Sequence, residues 1–294
     1  MANKQKVLVT GSTGFFGKNL IARLNTSDYI VHTLQANLTK EREVFGEVRE
    51  FNPDIAYHLG AHVNLARTYK EAKLCIDVNT RGTLILLESL KTVPLKKFIY
   101  TSTEEVYGDG ELPYRESQQL HPPSFYAVSK VAAEQLISIY SQISGFQGYI
   151  FRIGTAYGYY QPMFRLIPQI ITKALKNEDI LLNSGMKKRD YVYIEDVVDA
   201  LDVAARKKIP DKILLCTLGG GLEYTLRSLV ECVMRITKSR SNIVYGAYPD
   251  RVLETDEWLL DNAQAYRYFG WKPNTSLENG LTKTITFYKR MLGK

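Results

Sequence analysis

The chain is poor in the features that mark several protein classes. Its 294 residues include only three cysteines. Cys75, Cys216 and Cys232 are scattered, without the paired spacing of a zinc site or a disulfide framework, so no metal is expected. They read as reduced thiols, which points to the cytoplasm. No apolar run approaches the roughly 18 residues that cross a bilayer, so no membrane contact is expected. The N-terminus, Met1-Ala2-Asn3-Lys4-Gln5-Lys6, lacks a cleavable signal pattern and leads straight into an apolar strand. Repeats, low-complexity tracts and long linkers are missing. So is any nucleic-acid motif, because the basic residues are spread along the chain rather than clustered.

What is present is ordinary globular material: 45% apolar and 23% charged residues, with a net charge of +7. That charge is either a solvated basic surface or an attraction for an anionic diphosphate ligand. Short apolar runs alternate with helical patterns through the first half. Strands are expected at Lys6–Thr10, Tyr29–Leu34, Ile55–Leu59, Lys97–Thr101 and Gly148–Phe151. Helices are expected at Phe15–Asn25, Lys40–Phe51, about Asp77–Lys91 and Ser124–Ile143. Strands separated by helices imply right-handed crossovers and a parallel sheet, hence an α/β doubly wound fold. After about Gly158 the pattern loosens. We expect residues 1–158 to form mainly the sheet domain. Residues 159–294 form mainly a smaller α/β lobe interdigitated with it, with about 195–218 returning to the sheet.

Thr10-Gly11-Ser12-Thr13-Gly14-Phe15-Phe16-Gly17 follows the first strand and opens a helix. The spacing is G-x-x-G-x-x-G. Its physical logic is a tight turn, close backbone approach to a pyrophosphate and a helix N-terminus aimed at it. Gly11, Thr13, Gly14, Phe15, Phe16 and Gly17 are therefore candidate dinucleotide ligands. A carboxylate at the end of the second strand normally holds the adenosine ribose. Gln35-Ala36-Asn37 stands there instead, with Lys40 and Arg42 nearby. Either Gln35 or Asn37 bonds the ribose of NAD, or the basic residues accommodate the 2′-phosphate of NADP; both stay open.

Tyr126-Ala127-Val128-Ser129-Lys130 places a phenol and an ammonium at i and i+4, on one face of a helix. A lysine cation beside a phenol favours phenolate, so the Tyr126 pKa is expected to fall from about 10 toward neutrality. Such a tyrosine exchanges a proton with a hydroxyl while a hydride moves.

With these motifs the chain resembles the extended short-chain dehydrogenase/reductases of the nucleotide-sugar epimerase/dehydratase family. The likeness also runs through Asp54-Ile55-Ala56-Tyr57-His58-Leu59-Gly60-Ala61 and Asn79-Thr80-Arg81-Gly82-Thr83. It continues in Ser102-Thr103-Glu104-Glu105-Val106-Tyr107-Gly108, Arg152–Gly158, Leu166-Ile167-Pro168, Arg189–Asp196 and Phe269-Gly270-Trp271-Lys272-Pro273. The resemblance implies a Rossmann sheet with a substrate lobe, a bound NAD or NADP and a nucleoside-diphosphate sugar. It implies Tyr126 as acid/base, Lys130 as its tuner and ribose ligand, and Thr103 on the sugar oxygen at C4. Leu59, Gly60 and Ala61 would line the cofactor, and Arg189 and Arg251 would meet the substrate diphosphate. Relatives often form a homodimer through a four-helix seam, for which Leu84–Leu90 and Val131–Ile139 are candidates.

Two departures stand out. Thr155 occupies the position where the family has Asn in R-x-x-N, altering one substrate contact. The stretch before Asp54 is short, so Asn37-Leu38-Thr39 serves both as strand end and as the turn that normally comes later. Three reactions remain: 4-epimerisation, 4,6-dehydration with Glu104 as acid and Glu105 as base, and one-way NADPH reduction of a 4-keto sugar. A non-catalytic nucleotide-binding regulator is the remaining alternative. Of the histidines, His58 reads as a packed strand residue and His62 as a loop residue near the nicotinamide.

Overall fold

The computed structural model describes residues 4–24 and 28–293. Met1–Asn3, and Asn25 at the end of the first expected helix, lie outside them. The chain begins β1 (Gln5–Thr10), α1 (Phe15–Leu24), β2 (Tyr29–Thr33), α2 (Glu41–Phe51) and β3 (Ile55–His58). It continues with α3 (Tyr69–Leu74), a π-helical stretch (Cys75–Arg81), α4 (Gly82–Leu90), β4 (Lys97–Thr103) and a 3-10 turn (Glu104–Tyr107). Then come α5 (Phe125–Ser144), β5 (Gln147–Ile153), β6 (Thr155–Tyr157), α6 (Leu166–Lys176), β7 (Ile180–Leu181) and β8 (Lys188–Tyr193). The last part holds α7 (Ile194–Arg206), β9 (Ile213–Leu218), β10 (Glu223–Thr225), α8 (Leu226–Thr237), β11 (Ile243–Val244), α9 (Ala263–Phe269) and α10 (Leu277–Met291).

Six parallel strands form the main sheet in the order β2-β1-β3-β4-β5-β9. Side chains alternate across it, as the pleat requires. Val7 and Val9 join the core shared with Leu20 of α1 and Val197 and Leu201 of α7. Leu8 faces the opposite core with Val44 of α2, Leu86 of α4 and Ala133 of α5. A sheet buried on both faces explains why its strands read as continuous apolar runs.

The chain leaves β1 toward β2 and returns to the other side of β1 as β3. The carboxyl ends of β1 and β3 therefore diverge into a crevice, the usual ligand position in such sheets. The short stretch noted before Asp54 has its cause here: α2 runs directly into β3, and among the described residues no strand lies outside β2. Leu38 fills the gap by packing against Gly60 and Gly82. The helix expected from about Asp77 starts earlier, at Tyr69, because the Thr68 side chain caps it by accepting from Glu71 N at 3.3 Å. A small sheet, β10-β8-β6, takes up the chain where it leaves β5 and β9, and β11 and β7 form a separate parallel pair.

Candidate active site

Five strand ends deliver the site to one edge. Gly11 follows β1, Leu59 and Gly60 follow β3, Thr103 ends β4, Thr155 follows β5, and Gly219 follows β9.

At the β1 end, Gly11 has a φ of +69°. A Cβ there would sit 2.5 Å from the Gly60 nitrogen, and a Cβ on Gly17 would overlap the Gly11 carbonyl. The turn closes through Gly14 N to Gly11 O at 3.0 Å. Thr13 and Gly14 are exposed, and α1 starts at Phe15 with no acidic residue in its first turn. Phe15 and Phe16 pack their rings against the core, 5.1 Å apart. The bare backbone and the helix N-terminus fit a dinucleotide pyrophosphate.

The β2 end is not free of carboxylate. Glu47 of α2 reaches it and accepts from Gln35 N and Ala36 N, both at 2.8 Å, and lies 2.7 Å from His32 Nε2. Burial pushes the Glu47 pKa up, but these bonds outweigh it and hold it below the usual carboxylate range. Both oxygens are thus spent on the protein itself. Gln35 Nε2 donates to Thr33 O and Oγ1, each at 2.7 Å. Asn37 Oδ1 accepts from Thr39 N and Oγ1, and Arg81 donates to Thr39 O at 3.3 Å. Lys40 and Arg42 are exposed.

Behind Leu59-Gly60-Ala61, His58 is 1% exposed and bridges Thr10 Oγ1 and Thr83 Oγ1, each at 2.8 Å. Burial drives its pKa down to about 3, so it is a neutral packing residue. His62 pairs with Glu71 at 2.6 Å, and Asn79 ties the His62 backbone to Ser129 of α5.

Helix α5 starts with Ser124 capping Ala127 N at 3.0 Å and carries Tyr126, Lys130 and Glu134 on one face. The Tyr126 phenol is hydrogen-bonded to Thr103. Here the sequence expectation fails. Tyr126 is pushed well above the usual phenol value, chiefly by burial and then by the negative charge of Glu105. Lys130, 2% exposed, falls to about 7, also by burial, with Glu134 opposing the fall. Its ammonium lies 4.3 Å from the Tyr100 ring centroid and 5.9 Å from that of Tyr126. Burial has weakened the cation that was to pull the phenol down. Below Lys130, Glu134 pairs with Arg152 at 2.7 Å and accepts from Ser102 Oγ at 2.5 Å. Arg152 also donates to the Tyr107 hydroxyl at 3.0 Å. This network locks α5 against β4 and β5.

The two glutamates part company. Glu104 is 2% exposed; its Oε1 accepts from Thr155 Oγ1 at 2.7 Å, and its Oε2 is buried with no hydrogen-bond partner. Burial, reinforced by Asp190, raises its pKa well above the carboxylate range. Thr155 and Glu104, one a departure from the family pattern and the other a suggested acid, are thus each other's partner. Glu105 lies on the other side, hydrogen-bonded to Ser124 and facing Arg67 and Arg251, with a pKa raised by burial.

Arg189 does not pair with its neighbour Asp190. It binds Glu254 at 2.8 Å, donates to Lys188 O and Asp256 O, and stacks 4.4 Å over Trp258. Glu254 in turn accepts from Arg251 N at 3.3 Å. Asp190 organises the opposite loops, accepting from Gly220 N, Gly221 N and Leu260 N at 2.6 to 3.0 Å. Arg251 lines a 580 Å³ cleft together with Arg67 and Arg165. The sequence reading missed those two because they come from loops 98 residues apart, without local motif. It also missed Glu134, whose i+4 spacing from Lys130 was a usable signal. Among the described residues, no group of three or more His, Cys, Asp or Glu side chains could hold a metal ion.

A parallel sheet with a glycine cradle at its switch point and a Thr–Tyr–Lys cluster across the same edge defines a nicotinamide-dinucleotide enzyme class. The profile of the NAD dependent epimerase/dehydratase family matches residues 7–216, and the chain belongs to that family. It is 27% identical to the dTDP-glucose 4,6-dehydratase of Haemophilus influenzae, with 96% of this chain and 97% of that protein aligned. It is also 27% identical to a putative UDP-glucose 4-epimerase of Methanocaldococcus jannaschii, with 96% and 98% aligned. The structure of the Thermotoga maritima UDP-glucose 4-epimerase with UDP-glucose superposes with a TM-score of 0.91 at 26% identity, covering 98% and 99% of the two chains. The chain is therefore an enzyme of the NAD-dependent epimerase/dehydratase type. Among the described residues, no helix is long and apolar enough to cross a membrane.

Proposed function

We propose that this enzyme moves a hydride at C4 of a nucleoside-diphosphate hexose, with Tyr126 as acid/base, and returns it to the same carbon as a 4-epimerase. The carrying observation is the Thr103–Tyr126–Lys130 cluster on the edge that also bears the glycine cradle. A bound nicotinamide dinucleotide supplies the hydride acceptor and donor. Gly11, Thr13, Gly14, Phe15, Phe16 and Gly17 hold its pyrophosphate, while Gln35, Asn37 and Leu59-Gly60-Ala61 flank its adenosine and ribose side. Tyr126 Oη takes the C4 hydroxyl proton as the C4–H bond breaks and gives it back when the carbonyl is reduced. Thr103 Oγ1 holds the sugar oxygen. Lys130 orients the nicotinamide ribose, and only in its protonated form does it oppose the burial that holds the Tyr126 proton in place. Arg251 meets the substrate diphosphate, a task suited to its fork of donors. Arg189 acts behind it as a positioning residue through Glu254.

Between epimerisation and 4,6-dehydration, the Glu104–Thr155 bond favours epimerisation. Dehydration needs an acid at C6, and Glu104 is turned into the protein, while Thr155 is no longer free for substrate. A second reading, an NADPH-dependent 4-keto reductase, is favoured by one feature: the Glu47 oxygens are spent on backbone and Lys40, Arg42 and Arg81 stand near the ribose end. Mass spectrometry of the denatured, as-purified enzyme decides. Stoichiometric NAD supports internal redox; an empty protein that prefers NADPH over NADH supports the reductase and sinks the epimerase.

The segments 159–194 and 219–294 form the substrate side in this reading. A homodimer through α4 and α5 is supported by Leu84, Val128, Ile139 and Ile143, which these helices leave exposed. The free thiols suit a cytoplasmic setting.

A further inference from the structure

One buried carboxylate has no part in the chemistry above. Glu134 is 3% exposed and stands on α5, about one turn beyond Lys130 and two turns beyond Tyr126. Its Oε1 accepts from Ser102 Oγ at 2.5 Å and from Arg152 Nε at 3.1 Å, and its Oε2 accepts from Arg152 Nη2 at 2.7 Å. Ser102 and Arg152 are direct partners in the β4–β5 ladder. One side chain of α5 thus grips two paired strands, and the next residue along β4 is Thr103. Arg152 carries the grip further. It donates to the Tyr107 hydroxyl at 3.0 Å, in the turn that holds Glu104 and Glu105, and its guanidinium lies 4.9 Å from the Tyr107 ring centroid.

Cohesion between α5 and the sheet has another source. Ala133 and Ile137 of α5 share a core with Phe98 and Ile150 of β4 and β5. Swapping a buried ion pair for apolar groups of similar volume is often neutral for stability, so cohesion does not explain this one. What a bidentate pair adds is geometry, because the planar fork of arginine fixes both distance and angle. Apolar contact is non-directional and lets a helix slide, and a misplacement of about 1 Å can cost about 10²-fold in rate. We propose that Glu134 is a positioning residue, which through Ser102 and Arg152 sets the Tyr126 hydroxyl at working distance from Thr103. This rests on Tyr126 and Thr103 acting together at C4. The Glu134 charge also opposes the loss of the Lys130 proton, a smaller contribution than burial.

The test is a cycle between Thr103→Val and a paired swap, Glu134→Leu with Arg152→Met, which leaves no buried charge unmatched. UDP-glucose and dTDP-glucose are offered as substrates, and thermal midpoints are taken for every variant. The swap should melt close to the parent, hold KM within about twofold and lower kcat by about tenfold or more. On the Thr103→Val background the same swap should cost no more than about twofold in kcat, since a missing hydroxyl needs no positioning. Ser102→Ala removes one bond and leaves the ion pair whole, so it should show the same loss in kcat alone, at about three- to fivefold. Parent kcat in the folded swap overturns the proposal. So does a rise in KM alone. So do losses that multiply in full on Thr103→Val, because they mark an effect on Lys130 or on the fold at large. If the swap does not fold, Ser102→Ala decides in the same cycle by the same outcomes. A slow Thr103→Val beside an unaffected swap removes the proposal and leaves the C4 reading standing. Thr103→Val at the parent rate, or turnover of neither substrate by the parent, removes that reading and the proposal with it.

Discussion

The two ends of the cleft are built on different principles. At the β1–β3 end the chain supplies backbone: Gly11 in a left-handed turn, Gly17 tight against it, and N–H groups with almost no charged side chain. At the β4–β5 end it supplies buried ionisable groups: Tyr126 pushed up, Lys130 pushed down to about 7, and Glu104 pushed up. The first end is fixed by sterics and has no room for an added atom at Gly11 or Gly17. The second stores cost in desolvation, and the same burial moves acids and bases in opposite directions. A backbone site is therefore broken by bulk and a charged site by protons.

The largest expected effect lies at the charged end. Tyr126→Phe should lower kcat by about 10²–10⁴, the usual worth of a general acid/base, while calorimetric binding of the sugar nucleotide persists. Unchanged turnover would remove Tyr126 from the chemistry. At the backbone end, Gly17→Ala should destabilise by about 3 kcal/mol or more, since the new methyl overlaps the Gly11 carbonyl. Dinucleotide affinity should fall with it. A denaturant midpoint equal to that of the parent would show that the turn can shift, and that the comparison overstates its rigidity. Arg189→Met is expected to raise KM for the sugar nucleotide by about tenfold with kcat held within a few-fold. Its partners, Glu254 and Asp256, carry the segment on which Arg251 stands. A fall in kcat alone would place Arg189 nearer the chemistry than its bonds suggest.

The same contrast governs what could be read from the amino acids. The glycine turn, β1 and the Tyr126–Lys130 pair are local patterns within eight residues or fewer, and the parallel character of the sheet follows from alternation of strand and helix. The Phe125–Ser144 helix was legible because Ser124 caps it and Gly145, with a φ of +78°, ends it. The protonation states were not legible. The direction of the Tyr126 shift depends on how deeply Lys130 is buried and on the nearness of Glu105, both products of packing. The Glu47 carboxylate at the β2 end escaped notice because it arrives from α2, twelve residues beyond Gln35. The arginine cleft gathers three loops that only the finished fold brings together.

The smallest effects give the sharpest test of the charged end, because Lys130 and Glu104 should respond to pH with opposite signs. Lys130 has a folded pKa of about 7 against about 10.5 unfolded. Below pH 7 both states hold the proton and the native state bears the full cost of a buried cation. As pH rises from 7 toward 10.5, the native state is already neutral and that cost fades. Lys130→Met should therefore stabilise by about 1–2 kcal/mol at pH 6 and by progressively less toward pH 10. Glu104 has a folded pKa raised above its unfolded value of about 4.5. Between those values the native state holds a proton that the unfolded chain has lost, so stability falls as pH rises. Glu104→Gln keeps a hydrogen-bond acceptor for Thr155 and removes that slope, so it should gain least at pH 5 and most at pH 8. Thermal midpoints of the three proteins between pH 5 and pH 10 should thus show two difference curves that run in opposite directions. If both run the same way, one of these groups is solvated in the native enzyme, and desolvation does not set its charge.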